Sequence, residues 1–252
     1  MQNRLIIVPT FNELANAPIL IERIFKHIPN SHILIIDDGS PDKTGEKIKE
    51  IQSKYPSSLF LLERARKSGL GSAYRTGFAW GLERGYEELI EMDADLSHRV
   101  RDLRKMIDAN ELKPNTDLVI GSRWMPGGKT ENWSKSRELL SRAANLYVRA
   151  MLGMGVKDST AGFRIYSSSI LKKLNLEAIK SEGYSFQIEM TRAVYKLGGK
   201  IIEVPITFRE RQNGVSKMSY KIALEALSLV TYWTFIRFRV ISRNRIQVWL
   251  KK

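Results

Sequence analysis

The chain of 252 residues contains no cysteine. Disulfides, thiolate metal sites and cysteine nucleophiles are therefore excluded. Its three histidines, His27, His32 and His98, are scattered, which argues against a histidine-rich metal centre. No long apolar run is present: the longest weakly polar stretch, Ile222 to Ile236, covers 15 residues and contains Glu225. A membrane-spanning helix needs about 20 apolar residues. The N-terminus runs directly into Arg4-Leu5-Ile6-Ile7-Val8 without a basic leader or an apolar signal core, so a cytoplasmic location is expected. A Gly-Lys-Ser/Thr phosphate loop is also missing. Gly69-Leu70-Gly71 begins like a dinucleotide fingerprint, but Tyr74 stands where the third glycine would be, and the stretch reads as a flexible strand-to-helix turn.

Acidic residues are scarce in one half only. Residues 1–125 carry 18 Lys/Arg and 18 Asp/Glu, whereas residues 126–252 carry 23 Lys/Arg against 9 Asp/Glu, which accounts for the whole net charge of +14. A split of this kind points to an anionic partner on the second half: nucleic acid, a phosphorylated substrate or an anionic membrane surface.

The first half alternates between strand-length apolar runs (4–8, 32–36, 59–62, 87–92 and 117–120) and helical stretches (13–28, 43–54, 70–84 and 99–110). This order predicts an α/β fold of βαβ units on a mostly parallel sheet. Right-handed crossovers bring the C-terminal strand ends to one edge, where such sheets bind ligands. Those ends carry Pro9-Thr10-Phe11-Asn12-Glu13, Asp37-Asp38-Gly39-Ser40-Pro41-Asp42, Asp93-Ala94-Asp95 and Gly121-Ser122-Arg123. Asp93 and Asp95 are two residues apart, so on an extended backbone they project to one side. Paired carboxylates at a strand end suit Mg2+ or Mn2+, whose shells are commonly completed by substrate phosphates and water. They also serve as helix caps and solvated turns.

Together, P-T-F-N-E (9–13), D-D-G-S-P-D (37–42), G-L-G-S-A-Y (69–74), M-D-A-D-L-S-H (92–98) and G-S-R (121–123) resemble the inverting nucleotide-sugar glycosyltransferases of the GT-A fold. The second half narrows the resemblance. G-G-K-T-E-N-W-S-K-S-R (127–137), D-S-T-A-G-F-R (158–164), G-Y-S-F-Q-I-E-M (183–190) and F-R-E-R-Q-N-G-V-S-K (208–217) are similar to the dolichyl-phosphate mannose synthases and their bacterial counterparts, the polyprenol monophosphomannose synthases. The likeness runs from about residue 4 to about residue 220.

The resemblance implies transfer of mannose from GDP-mannose to polyprenyl phosphate, with inversion. It places Pro9, Thr10, Glu13 and Asp37 at the guanosine, where Asp38 either joins them or stabilises the turn. Asp93 and Asp95, with Ala94 between them, would hold Mg2+ or Mn2+ at the diphosphate. Arg123, Arg137 and Arg211 would surround the phosphates, because a guanidinium fork pairs bidentately with phosphate oxygens. Ser216 and Lys217 would assist at the acceptor phosphate. Glu189 is either an additional acid or the partner of a neighbouring arginine. The chain departs from some relatives at Ser97, where glutamine can join the metal shell, at Arg99, where proline is frequent, and at Glu210, where many have aspartate.

The chain is expected to divide into a nucleotide-sugar half (1–125), an acceptor half (126–220) and, beyond the resemblance, a basic amphipathic tail (221–252). Trp233 and Tyr232 of the tail are expected at a lipid interface, with Arg237, Arg239, Arg243 and Arg245 at anionic headgroups. The enzyme is then a peripheral protein on the cytoplasmic face of a membrane. Two alternatives stand beside this reading: a transferase using a UDP-sugar, and a basic nucleic-acid-binding module, for which no fold signature is found.

Overall fold

The computed structural model describes residues 3–211 and 226–235. Five strands, β1 (Arg4–Thr10), β2 (His32–Asp37), β3 (Leu59–Glu63), β4 (Glu88–Glu91) and β5 (Leu118–Ser122), alternate with helices α1 (Ala17–His27), α2 (Thr44–Gln52), α3 (Leu70–Glu83) and α4 (Val100–Glu111). The elements lie where the apolar periodicity puts them. Helix α1 starts later than residue 13 because Pro18 enters its first turn, where a fixed φ and a missing N–H cost nothing.

Beyond residue 125 follow β6 (Lys129–Glu131), α5 (Lys135–Leu152), β7 (Arg164–Ser167), α6 (Ser168–Lys173), α7 (Gly183–Lys196), β8 (Ile201–Pro205) and β9 (Thr207–Arg209). The main sheet has seven strands in the order β3-β2-β1-β4-β7-β5-β8, and β6 pairs with β9 in a small second sheet. Strand β7 is antiparallel to both of its neighbours, so the sheet is mostly, not wholly, parallel. That reversal matters for the site. The segment entering an antiparallel strand lies at the same edge as the ends of the parallel ones, so residues 158–163 join the loops that follow β1, β4 and β5.

Both faces of the sheet are covered. Ile6, Val8, Ile33 and Ile35 pack with α1, α2 and α4 through Leu20, Ile21, Ile24, Ile48, Leu103 and Ile107. The alternate residues Leu5, Ile7, Leu34 and Ile36 pack on the other face with Tyr74, Phe78, Phe186 and Met190 of α3 and α7. Burial on both sides is why these strands read as unbroken apolar runs.

Residues 226–235 are helical and correct one expectation. Trp233 is not an interfacial residue: with Val230 it is buried against Val148, Leu152, Met154 and Ile188, and the Arg192 guanidinium lies 4.9 Å from its ring centre. Tyr147 and Thr231 share a 2.7 Å hydroxyl contact that fixes this helix against α5. Tyr232 is 61% exposed and Phe235 67%. Arg237, Arg239, Arg243 and Arg245 lie outside the described residues.

Candidate active site

A cleft of about 410 Å³ opens at the C-terminal edge of the sheet. Of the residues anticipated from sequence, Pro9, Glu13, Asp93, Ala94, Asp95, Arg123, Arg137 and Arg211 line it. Thr10, Asp37 and Asp38 do not. Thr10 donates its hydroxyl to Asp37 at 2.8 Å, and Asp37 also accepts from the Ser40 backbone N–H at 2.9 Å and the Ser40 hydroxyl at 2.6 Å. This buried network ties the end of β1 to the end of β2. Asp38 is paired with Arg64 at 2.5 Å and accepts from the Ser68 N–H at 3.2 Å, which is the turn-stabilising alternative. Ser216 and Lys217 lie outside the described residues.

Each of the three anticipated arginines is paired with a carboxylate. Arg123 grips Asp158 with two parallel hydrogen bonds of 2.8 and 2.7 Å and donates a third, of 2.8 Å, to Thr160. The pair is almost dry, with 4% of the Arg123 side chain and none of Asp158 exposed. Arg123 is therefore first a buried structural cation: the guanidinium is raised above its ordinary pKa because Asp158 outweighs the cost of burial. Arg137 reaches Glu210 at 2.8 Å and stacks on Trp133 at 4.0 Å. Arg211 reaches Asp95 at 2.9 Å.

Asp93 is held differently. His98 Nδ1 accepts the Asp93 backbone N–H at 3.1 Å, and its ring stacks on Phe163 at 4.5 Å. Burial, reinforced by Arg123, pushes the imidazole down to about 4. It is neutral near pH 7 and works as a spacer behind Asp93. Burial and the adjoining Asp95 charge push the Asp93 carboxyl up to about 8, against the pull of Arg211. The two carboxylates at the strand end thus repel one another more than Arg211 offsets, which favours a proton on Asp93. A divalent cation would relieve that repulsion in place of the proton, so the donor set fits one. Among the described residues no cluster of three or more His, Cys, Asp or Glu is arranged as a metal cage. Two carboxylates with phosphates and water completing the shell is the usual magnesium arrangement. Ser97 adds nothing to it: its hydroxyl is fully buried, and its N–H donates to Asp95 at 3.1 Å.

Several cleft residues carried no assigned role in the sequence. Thr160 and Gly162 arrive through the antiparallel β7, and Tyr184 and Gln187 through the start of α7. Burial raises the pKa of the Tyr184 phenol, against the pull of Arg123 and Arg137. Glu182 accepts the N–H groups of Gly71 at 2.7 Å and Ser72 at 3.1 Å and pairs with Arg75 at 3.2 Å. It caps α3 and locks the Gly69 turn to the opposite wall. A Cβ on Gly69, at φ +96°, would fall 2.3 Å from the Glu182 carboxylate, so that glycine serves close approach. Thr160, Gly162, Tyr184 and Gln187 were signalled only by the quoted D-S-T-A-G-F-R and G-Y-S-F-Q-I-E-M motifs, and Glu182, one residue before the second, carried no signal. Glu189 sits outside the cleft, accepting from the Ser181 N–H at 3.4 Å.

Asp93 and Asp95 share the cleft with Arg123, Arg137 and Arg211, and the model of "Glycosyl transferase family 2" matches residues 5–175. The chain belongs to glycosyl transferase family 2. Among its relatives is the "Polyprenol monophosphomannose synthase" of Mycolicibacterium smegmatis, 46% identical over 92% of this chain and 87% of that one. Another is the "Undecaprenyl-phosphate mannosyltransferase" of Micrococcus luteus, 48% identical over 91% and 93%. In shape the family 2 chain is similar to glucosyl-3-phosphoglycerate synthase from Mycobacterium tuberculosis, solved with Mn2+, UDP-glucose and phosphoglyceric acid. The TM-score is 0.67 at 19% identity, covering 91% of this chain and 80% of that one. This likeness establishes the GT-A fold.

Proposed function

We propose that this family 2 enzyme transfers mannose from GDP-mannose to a polyprenyl phosphate, with inversion, giving polyprenyl-phosphate mannose and GDP. The observation that carries the reading is the cleft itself: Asp93, Asp95 and Arg137 line it together, in a chain nearly half identical to two polyprenyl-phosphate mannosyl enzymes. Pro9 and Glu13 belong to the donor side, residues 1–125, and Arg137 to the acceptor side, residues 126–220.

Asp93 and Asp95 would hold Mg2+ or Mn2+, which supplies charge neutralisation at the diphosphate leaving group. The protein's own work is positioning. An acceptor phosphate with a second pKa near 6 is already largely dianionic at pH 7, so attack on the anomeric carbon requires no general base. Arg137, stacked on Trp133, would orient that phosphate. Arg211 would face the developing charge on the leaving diphosphate.

A lipid acceptor calls for a membrane face. Among the described residues no helix is long and apolar enough to cross a membrane. Helix α5 leaves Leu139, Leu140 and Leu146 exposed by 70%, 62% and 66%. Leu139, Ala143, Leu146 and Ala150 follow the 4-3-4 spacing of one helical stripe, and Arg142 and Arg149 stand exposed beside it. Arg137, in the first turns of the same helix, lines the cleft. We assign this stripe to the bilayer, so that a polyprenyl phosphate entering along α5 meets Arg137. The enzyme would then work as a peripheral protein on the cytoplasmic face.

The deciding experiment incubates the enzyme with polyprenyl phosphate and a panel of radiolabelled GDP- and UDP-sugars. Label should reach the lipid phase from GDP-mannose alone. Labelling from a UDP-sugar instead would replace the donor, and labelling from none would remove the reading.

A further inference from the structure

Glu210 and Arg211 are consecutive, and each is paired across the cleft with a residue of a different half-site. Glu210 lies on Arg137 at 2.8 Å and Arg211 on Asp95 at 2.9 Å. The two contacts have a shared logic. A carboxylate offers an arginine fork two coplanar oxygens, as a phosphate does. A guanidinium brings positive charge to the carboxylate oxygen that a divalent cation would take. We propose that Glu210 and Arg211 are internal stand-ins, Glu210 for the acceptor phosphate on Arg137 and Arg211 for the cation on Asp95. The two ligands then bind with positive coupling, because they displace one dipeptide. The inference rests on the acceptor and metal sites of the preceding section.

Exposure supports a replaceable contact. The Arg137–Glu210 side chains are 27% and 41% exposed and the Arg211–Asp95 side chains 23% and 8%, against 4% and 0% in the dry Arg123–Asp158 pair, so Glu210 is the more easily displaced of the two. An ion pair open to water contributes little and yields to a doubly charged competitor, whereas a buried one is costly to open. The backbone just before the stand-ins is anchored, with the Arg209 N–H on the Ser97 carbonyl at 3.1 Å and the Glu210 N–H on the Glu131 carbonyl at 3.0 Å. Glu210 and Arg211 share one peptide unit, so displacing Arg211 from Asp95 disturbs the backbone that carries Glu210 to Arg137. Coupling of this kind is reciprocal: the cation must raise phosphate affinity by the factor by which phosphate raises cation affinity.

The competing account is that Glu210 aligns Arg137 for the phosphate, and the two make opposite predictions. Binding of a short-chain isoprenyl phosphate, and separately of inorganic phosphate, is measured by calorimetry on the wild type and Glu210→Gln, with and without Mn2+ and GDP. Without Mn2+ and GDP, Glu210→Gln should bind about two- to fivefold tighter, the factor an exposed ion pair commands. In the wild type Mn2+ with GDP should tighten phosphate binding roughly fivefold, the low end of site-to-site coupling, and Glu210→Gln should bring that factor close to one. Arg211→Gln, followed by electron paramagnetic resonance, should bind Mn2+ alone more tightly than the wild type. Weaker or unchanged phosphate binding in Glu210→Gln, a coupling factor that survives it, or unchanged Mn2+ affinity in Arg211→Gln each overturns the proposal. None of these measurements uses sugar transfer. If the isoprenyl compound fails to bind while inorganic phosphate shows the Glu210→Gln effect, the acceptor reading fails and the stand-in stands.

Discussion

Arg123 and Arg137 carry the same guanidinium into the same cleft, yet their surroundings give them different work. Removing Arg123 leaves Asp158, fully buried, without its counter-charge, and opening a buried pair costs about 3–5 kcal/mol. Arg123→Ala should therefore be recognised first by urea melts, as a large loss of stability. Arg137→Ala, whose pair is open to water, should stay within about 1 kcal/mol of the wild type while losing on the order of 10²-fold in transfer rate. Lys at position 137 should recover only part of that rate, because it supplies a point charge where a fork stacks on Trp133. Full rescue would mean that charge alone suffices. The DxD pair gives a third outcome: Asp95→Ala, or excess chelator acting on the wild type, should abolish transfer and leave circular dichroism unchanged. Activity that persists in chelator would sink the metal-dependent reading. The sequence showed which residue types stood at the strand ends. It did not show that Thr10, Asp37 and Asp38 spend their polar atoms on one another and on Ser40 and Arg64, because partners far apart in sequence decide which side chains face the cleft.

At the scale of elements, the five strands and four helices before residue 125 were legible because burial on both faces leaves an unbroken apolar run in each strand. Strand β7 was not, since four residues entering antiparallel between β4 and β5 carry no periodicity of their own. Its position follows from pairing with strands far away in sequence. A comparable long-range tie joins α4 to β9. Asp102, in the first turn of α4, accepts from Arg99 at 2.7 Å, from Lys105 at 2.9 Å and from the Thr207 backbone N–H at 3.1 Å. Burial alone would raise its pKa, but the bonds from Arg99, Lys105 and Thr207 hold it below the ordinary carboxylate value. A depressed folded-state pKa gives stability that is present above the unfolded value, near 4, and is lost as pH falls through the folded one. Asp102→Asn should cost about 1–3 kcal/mol at pH 7, the scale of hydrogen bonds to a charged group. The gap in melting temperature between variant and wild type should narrow toward pH 3. A gap independent of pH would mean that Asp102 acts by shape and not by charge.

At the scale of the whole molecule, the cleft has to meet a lipid-borne phosphate. The charge split places the net +14 beyond residue 125, and the sequence alone drew attention to the tail, where aromatics and arginines adjoin. The structure redistributes that expectation. Val230 and Trp233 fill a cluster with Val148, Leu152, Met154 and Ile188, so truncation after Ser219 would strip the cover from α5 as well as remove basic residues. Loss of vesicle binding in such a truncation could not be assigned to the membrane. Surface substitutions on α5 separate the two effects, because Leu139 and Leu146 are 70% and 66% exposed and their replacement leaves that cluster intact. Burying a leucine fully is worth about 1.5–3 kcal/mol, and a glutamate in its place is also repelled by an anionic surface. The double variant Leu139→Glu/Leu146→Glu should therefore reduce the fraction bound to phosphatidylglycerol vesicles by roughly tenfold or more. It should raise the KM for a long polyprenyl phosphate and leave that for a short, water-soluble isoprenyl phosphate nearly unchanged, since Arg137 and the cleft are untouched. Arg142→Glu/Arg149→Glu should weaken binding chiefly at low ionic strength, as expected for charges screened by salt. Vesicle binding indifferent to both pairs would show that the bilayer meets another face. An equal rise in KM for the short and long acceptors would place the leucines in the cleft's support and not at the membrane.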